Sequence, residues 1–351
     1  MIFGYPVSFP EDTSERLVAD ATTARRLVRE RSPQLLELLE HRQRRFAPLL
    51  AQNPNAPVQQ AEDAILVAFC RLAFRHGSWG KDFHHYHNEG HIFEILGSRL
   101  ERLIDTIGLD TLSLRDWFLL TLFAAAHDLR QREVPEFAAG IGANERGSIE
   151  ETFRILRICG FDRDRHADVF LGIELMIAGS TFDARPPPKA REYNSADVVV
   201  ESGGALAQKL DSKLDKYVPN WRGDPHIAHA LELALIAADL DTANVAEPFP
   251  LFMASAERLC LEREMRSYRD ATSAESAQPM LGFFTKGQEH YFFDLHRFSS
   301  PYGRAAFGAA KQANVDPVRN VIRDMSALPA LHTGAAVLQA FRGLVAKYSK
   351  S

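Results

Sequence analysis

The chain has 351 residues, 46% hydrophobic and 25% charged, with a formal net charge of -5. That balance is ordinary for a water-soluble globular protein and gives no sign of the gathered basic surface of a nucleic-acid-binding domain. Three widely spaced cysteines, Cys70, Cys159 and Cys260, sit among apolar residues and are expected to be buried free thiols, not a disulfide framework.

The start, Met1-Ile2-Phe3-Gly4-Tyr5-Pro6, lacks the basic residues and long apolar core of a signal peptide. No apolar run approaches the ~20 residues needed to cross a bilayer. A cytoplasmic protein with no membrane partner is expected. Residues 14–51 set Leu17, Leu27, Leu35, Leu36, Leu38, Leu39, Leu49 and Leu50 among many charges, with one break at Ser32-Pro33. This predicts amphipathic helix, packed on the main domain or used for self-association into a homo-oligomer. The basic stretches at Arg25-Arg26 to Arg31 and Arg42 to Arg45 are read as solvated helix faces. Asn53-Pro54-Asn55-Ala56-Pro57 predicts a turn, which sets residues 1–57 apart as an N-terminal helical extension and 58–351 as the main domain.

A helix is expected from about Val58 to Arg75, ended by His76-Gly77-Ser78-Trp79-Gly80. Further helical periods run through about 87–106, 113–127, 145–159, 164–179, 226–245, 248–270, 281–297 and 331–348, with Gly108, Gly160 and Gly179 where helices should end. The only strand-like run, Val198-Val199-Val200, is too short to carry a sheet. Arg185-Pro186-Pro187-Pro188-Lys189 opens an irregular stretch. The expected fold class is all-α, a helical bundle with additional N- and C-terminal helices.

Three blocks on or beside these helices concentrate metal-ligating side chains: Tyr86-His87-Asn88-Glu89-Gly90-His91, His127-Asp128, and Ala238-Asp239-Leu240. Four residues apart, His87 and His91 should share a helix face, so both could ligate one ion, or one could ligate while the other meets substrate. His127-Asp128 follows the apolar run Trp117 to Ala126 and should sit at a buried helix end, where both side chains can turn to one point. Asp239 follows Leu231, Leu233, Ala234, Leu235, Ile236, Ala237 and Ala238, and a carboxylate buried there needs a partner. Asp241 competes for that role but points to a different helix face, so Asp239 is preferred. Two imidazoles and two carboxylates suit a hard or borderline divalent cation, manganese, magnesium, iron or zinc.

The blocks, in this order, resemble those of the HD superfamily of metal-dependent phosphohydrolases, an all-α fold. Tyr86-His87-Asn88-x-x-His91 and Ala238-Asp239-Leu240 are similar to cyclic nucleotide phosphodiesterases, and Asn144-Glu145-x-x-Ser148 to bacterial HD hydrolases. The similarity runs through roughly residues 65–300. It implies that His91, His127, Asp128 and Asp239 hold a metal ion and that Asp128 could bridge to a second. It also implies that His87 is the general acid, a role suited to an imidazole titrating near neutrality. Glu145 could orient a water as a neighbouring carboxylate. Phe283-Phe284-x-x-x-Gln288-x-x-Tyr291-Phe292 is similar to the phosphodiesterase helix whose glutamine and aromatic residue hold a base. Gln288 could then pair with a base edge while Tyr291 or Phe292 stacks on its face; an aromatic stripe at helical spacing is otherwise core.

Two departures stand out: Gln131 occupies a position where phosphodiesterases carry histidine, and the histidine-rich block before the last aspartate is missing unless His226 or His229 replaces it. His84 and His85 could line a pocket mouth, and Arg130 and Arg132 could bind phosphate. Gly140-Ile141-Gly142 does not continue into a phosphate loop. The expected function is hydrolysis of a phosphodiester or phosphomonoester of a nucleotide or related small molecule. The alternatives are an inactive HD-fold nucleotide-binding or scaffold protein, or a di-iron HD-type oxygenase using His84, His226 and His229.

Overall fold

The computed structural model describes residues 9–131, 142–183 and 203–350. Among them the chain is all-α, as expected. The N-terminal stretch is four helices rather than two: α1 (Thr13–Leu17), α2 (Ala21–Arg31), α3 (Pro33–Arg45) and α4 (Ala47–Gln52). Each added break has a local cause. The Asp20 carboxylate accepts from the Thr23 N–H and starts α2, and Pro48 stands in the first turn of α4, where its missing N–H costs nothing. Val18, Leu27, Val28, Leu35, Leu39, Phe46 and Leu49 are buried in the same apolar cluster as the rest of the chain. Arg42 is no solvated face: it is buried, with Nη2 donating to Leu96 O and to Glu101.

The centre is built by α5 (Val58–Arg75), α8 (Leu114–Ala126), α10 (Ala167–Ser180) and α12 (Pro225–Thr242), each apolar on nearly every side. Such helices have no solvent face to present and must be covered all round. α10 lies along α12, with α9 (Ala143–Ile158) beside it; α5 lies between α2 and α8. Between α5 and α8 come α6 (Glu89–Glu94), a π-helical segment Ile95–Arg99, and α7 (Leu100–Ile107). Gly108 and Gly160 stand at helix ends with φ of 83° and 87°, a conformation that favours glycine. Gly179 is the last residue but one of α10, and a Cβ there would come within 3.1 Å of Leu210 Cδ1, so close packing favours glycine.

After α10 a two-residue strand pair forms, Phe182–Asp183 antiparallel to Gly204–Ala205. The Val198 run and the Pro186 stretch lie outside the described residues. α11 (Leu210–Tyr217) precedes α12, and α13 (Phe249–Arg266) and α14 (Ala274–Gly282) follow it. The expected helix at 281–297 is instead two π-helical segments, Phe283–Gly287 and His290–Leu295. α15 (Pro301–Ala313), α16 (Val315–Ser326) and α17 (Gly334–Tyr348) complete the fold. No helix of the described residues is long and apolar enough to cross a membrane. All three cysteines are free and buried, and burial pushes each thiol up to about 12.

Candidate metal centre

The site forms where α6 begins and where α8 and α12 end. Asn88 caps α6, its Oδ1 accepting from the Gly90 N–H at 2.8 Å, which puts His91 in the first turns, buried. His87 precedes that cap, so the two histidines do not share a helix face as their spacing suggests. α8 ends at Ala126, with His127 as its C-cap and Asp128 just beyond. Leaving the helix frees the pair from the ~100° divergence of neighbours on a helix.

The side chains meet at one buried point. His127 Nε2 lies 3.1 Å from Asp128 Oδ2 and 3.3 Å from Asp241 Oδ1. His91 Nε2 lies 3.1 Å from Asp241 Oδ1 and 3.9 Å from Asp128 Oδ2. His127 Nδ1 donates to Phe123 O at 3.1 Å, so Nε2 turns its lone pair to the centre. His127 Nε2 and Asp128 Oδ2 are buried and have no hydrogen bond. Four ligands about 2.1 Å from a tetrahedral ion stand about 3.4 Å apart, close to the separations here. The donor set and its orphaned atoms therefore fit a divalent cation. Burial alone would raise both carboxyls, but when His127 carries a second proton its charge holds Asp128 and Asp241 far below the usual range.

The preference for Asp239 is corrected. Its carboxylate faces the other side of α12 and accepts from the Ser299 N–H at 2.5 Å, the Ser300 N–H at 2.8 Å and Ser300 Oγ at 2.6 Å. Ser300 Oγ in turn accepts from the Gly303 N–H, so Asp239 anchors the start of α15. Burial pushes its carboxyl up to about 6 even against these donors. Asp241, two residues on, is the carboxylate of α12 that meets the His91 and His127 rings.

The centre opens on a cavity of about 850 Å³. His87 lines it, held by Glu262 of α13: Nδ1 donates to Oε1 at 2.6 Å, and Oε2 accepts the backbone N–H of Tyr86 at 2.8 Å and of His87 at 2.9 Å. Burial would lower the His87 pKa, and the Glu262 carboxylate more than offsets this, so it is raised. Glu145 is also on the wall, its carboxyl pushed up to about 7 by burial. Gln288 and Tyr291 reach the cavity, as does Phe283; Gln288 Nε2 is buried without a hydrogen bond. Phe292 does not reach it and stacks on Phe252 at 5.5 Å as core.

Other candidates go elsewhere. Arg130 is buried in an ion network with Glu15 and Glu151, not turned to a ligand; Arg132 and Gly140-Ile141 lie outside the described residues. His226 and His229 are exposed, and His229 bonds Asp116 at 2.8 Å, away from the centre, so neither replaces the missing histidine block. His84 is buried, its ring 4.1 Å from that of His76, with Asp82 Oδ2 at 3.4 Å. This second cluster suits a cation less well: His76 Nε2 accepts from the Gln131 N–H, which leaves the proton on Nδ1, the atom facing Asp82.

Asp241 and Glu262 are the residues sequence reasoning passed over. Asp241 had a local signal in Asn244, three residues later and on the same cavity wall. Glu262 had none, because 175 residues separate it from His87. No protein-family model matches the sequence, and no curated protein does. Among solved structures the chain is similar to the phosphodiesterase domain of the RhoPDE fusion protein from the choanoflagellate Salpingoeca rosetta. The identity is 13% and the TM-score 0.45, over 100% of this chain and 97% of that one.

Proposed function

We propose that the chain is a metal-dependent phosphohydrolase, of the HD type its motifs resemble, acting on a phosphate ester of a nucleotide or related small molecule. The observation that carries this reading is the buried convergence of His91, His127, Asp128 and Asp241 at one end of the 850 Å³ cavity, with His87 beside it. A divalent cation bound by those four residues would lower the pKa of a coordinated water towards neutrality and draw charge from phosphoryl oxygens. His87 keeps one proton on Nδ1 against Glu262 and can hold a second on Nε2, the proton a departing alkoxide needs. Tyr291 and Phe283 offer faces to a planar group, and the unpartnered Gln288 amide offers it a hydrogen bond.

The test is to purify the protein, measure bound metal, and assay bis-para-nitrophenyl phosphate, para-nitrophenyl phosphate and a nucleotide panel with added manganese. Asp128→Ala and His91→Ala should lose both metal and turnover. His87→Ala should keep the metal and lose roughly 100-fold or more in rate, most severely with poor leaving groups. Full activity in Asp128→Ala would overturn the assignment.

A further inference from the structure

Gln131 stands three residues after Asp128, and the direction of its side-chain amide is fixed. Arg266 Nη2 donates to Gln131 Oε1 at 2.6 Å and Asn144 Nδ2 donates to the same oxygen at 2.9 Å. Two donors on one atom identify that atom as the carbonyl oxygen, so the NH2 group must face the other way. It does: Nε2 donates to Asp128 Oδ1 at 2.7 Å. The two oxygens of Asp128 are thereby divided. Oδ2 turns to His127 and the metal point, while Oδ1, the oxygen that would bridge to a second ion, holds an amide N–H.

The charge beyond Oδ1 has the same sense. The Arg266 guanidinium comes next after the Gln131 amide, on the cavity wall, at the end of α13. A second divalent ion would need anionic ligands of its own. Asp128 and Asp241 face the first site, and Glu145 is the one other carboxylate among the described residues lining the cavity. Two-metal sites place their second positive charge within about 4 Å of the first, where it steadies oxygens of the phosphoryl group. A guanidinium can do this without a metal, through two parallel N–H donors to phosphate.

We infer that the centre holds one divalent cation, not two, with Gln131 closing the bridging oxygen of Asp128 and Arg266 supplying the second positive charge to the substrate phosphoryl group. The inference rests on the metal-dependent reading above and is tested separately from it. The full chain is loaded with manganese(II) and dialysed. Metal per chain is then measured by mass spectrometry, and electron paramagnetic resonance reports whether the ions are isolated or exchange-coupled. One ion per chain with the spectrum of an isolated centre is expected. Two coupled ions would overturn this inference and leave the proposed function standing; no retained manganese would overturn both.

Arg266 is tested by titrating inorganic phosphate into the manganese-loaded protein. Arg266→Ala should keep one ion per chain and bind phosphate about tenfold more weakly or worse, and Arg266→Lys should fall between. Thermal melts establish that the variants fold, and Arg266→Lys alone decides the point if Arg266→Ala does not. Phosphate affinity unchanged in a folded variant would overturn the role of Arg266.

Discussion

Replacing Asp241 by asparagine removes the charge that the His91 and His127 rings share, and an amide oxygen is a far poorer ligand for a divalent ion. Asp241→Asn should therefore lose bound metal while leaving the fold in place. Asp239→Asn should do the reverse. It keeps the metal but loses an acceptor for the Ser299 and Ser300 donors, at a cost of about 1–3 kcal/mol in denaturant unfolding. Metal content of the two variants separates the roles in one measurement; retention of metal by Asp241→Asn would sink the assignment. His91, His127 and Asp128 were legible because each stands at a helix boundary that its own sequence marks. The choice between Asp239 and Asp241 was not, since both follow the same apolar run. What decides it is which face of α12 meets α6 and α8 and which meets the chain before α15.

α1 has five residues, too few to be a stable helix alone. Its position is set by charge. The Glu15 carboxylate, 3% exposed, accepts from Arg71 Nη1 at 3.0 Å and from Arg154 Nη2 at 2.6 Å, and also bonds Arg130. These cations hold its pKa below the usual range although burial opposes them. Glu15→Gln keeps the shape and leaves three guanidinium groups short of one charge, so unfolding free energy should fall by about 3–5 kcal/mol. Urea titration checks this, and a change within 0.5 kcal/mol would show the network to be weakly coupled. The same helices show where periodicity succeeds and fails. α5, α8 and α12 were placed to within two or three residues, because fully apolar segments between caps leave little choice. The stretch 281–297 carries a helical apolar pattern but winds with π-helical turns, and α15 and α16 were not anticipated, although Val318, Val321, Ile322 and Met325 form a buried stripe on α16.

As a whole the molecule shares one apolar cluster between the N-terminal helices and the central ones, so acid should destabilise it as a unit. One contributor is His296, 1% exposed, with Nδ1 unpartnered and Nε2 3.2 Å from Thr242 Oγ1. Burial, with Lys311 nearby, lowers its pKa from 6.5 to about 3. The folded protein then refuses a proton that the unfolded chain accepts. The stability is whole above pH 6.5 and falls as pH drops from there towards 3. His296→Gln should flatten the pH dependence of the unfolding free energy in that window, by an amount on the order of a few kcal/mol near pH 4. Parallel curves for the two proteins would reject this.

Glu262 has a consequence for how such a site can change. One carboxylate places the loop that carries His87 and also sets how tightly that ring keeps its proton. Position and acidity are therefore a single variable at this residue. A lineage could not use Glu262 to change how tightly His87 holds its proton without also moving the ring. Variation in chemistry has easier routes elsewhere on the cavity lining, at Gln288 and Tyr291, which make no hydrogen bond to His87 or Glu262.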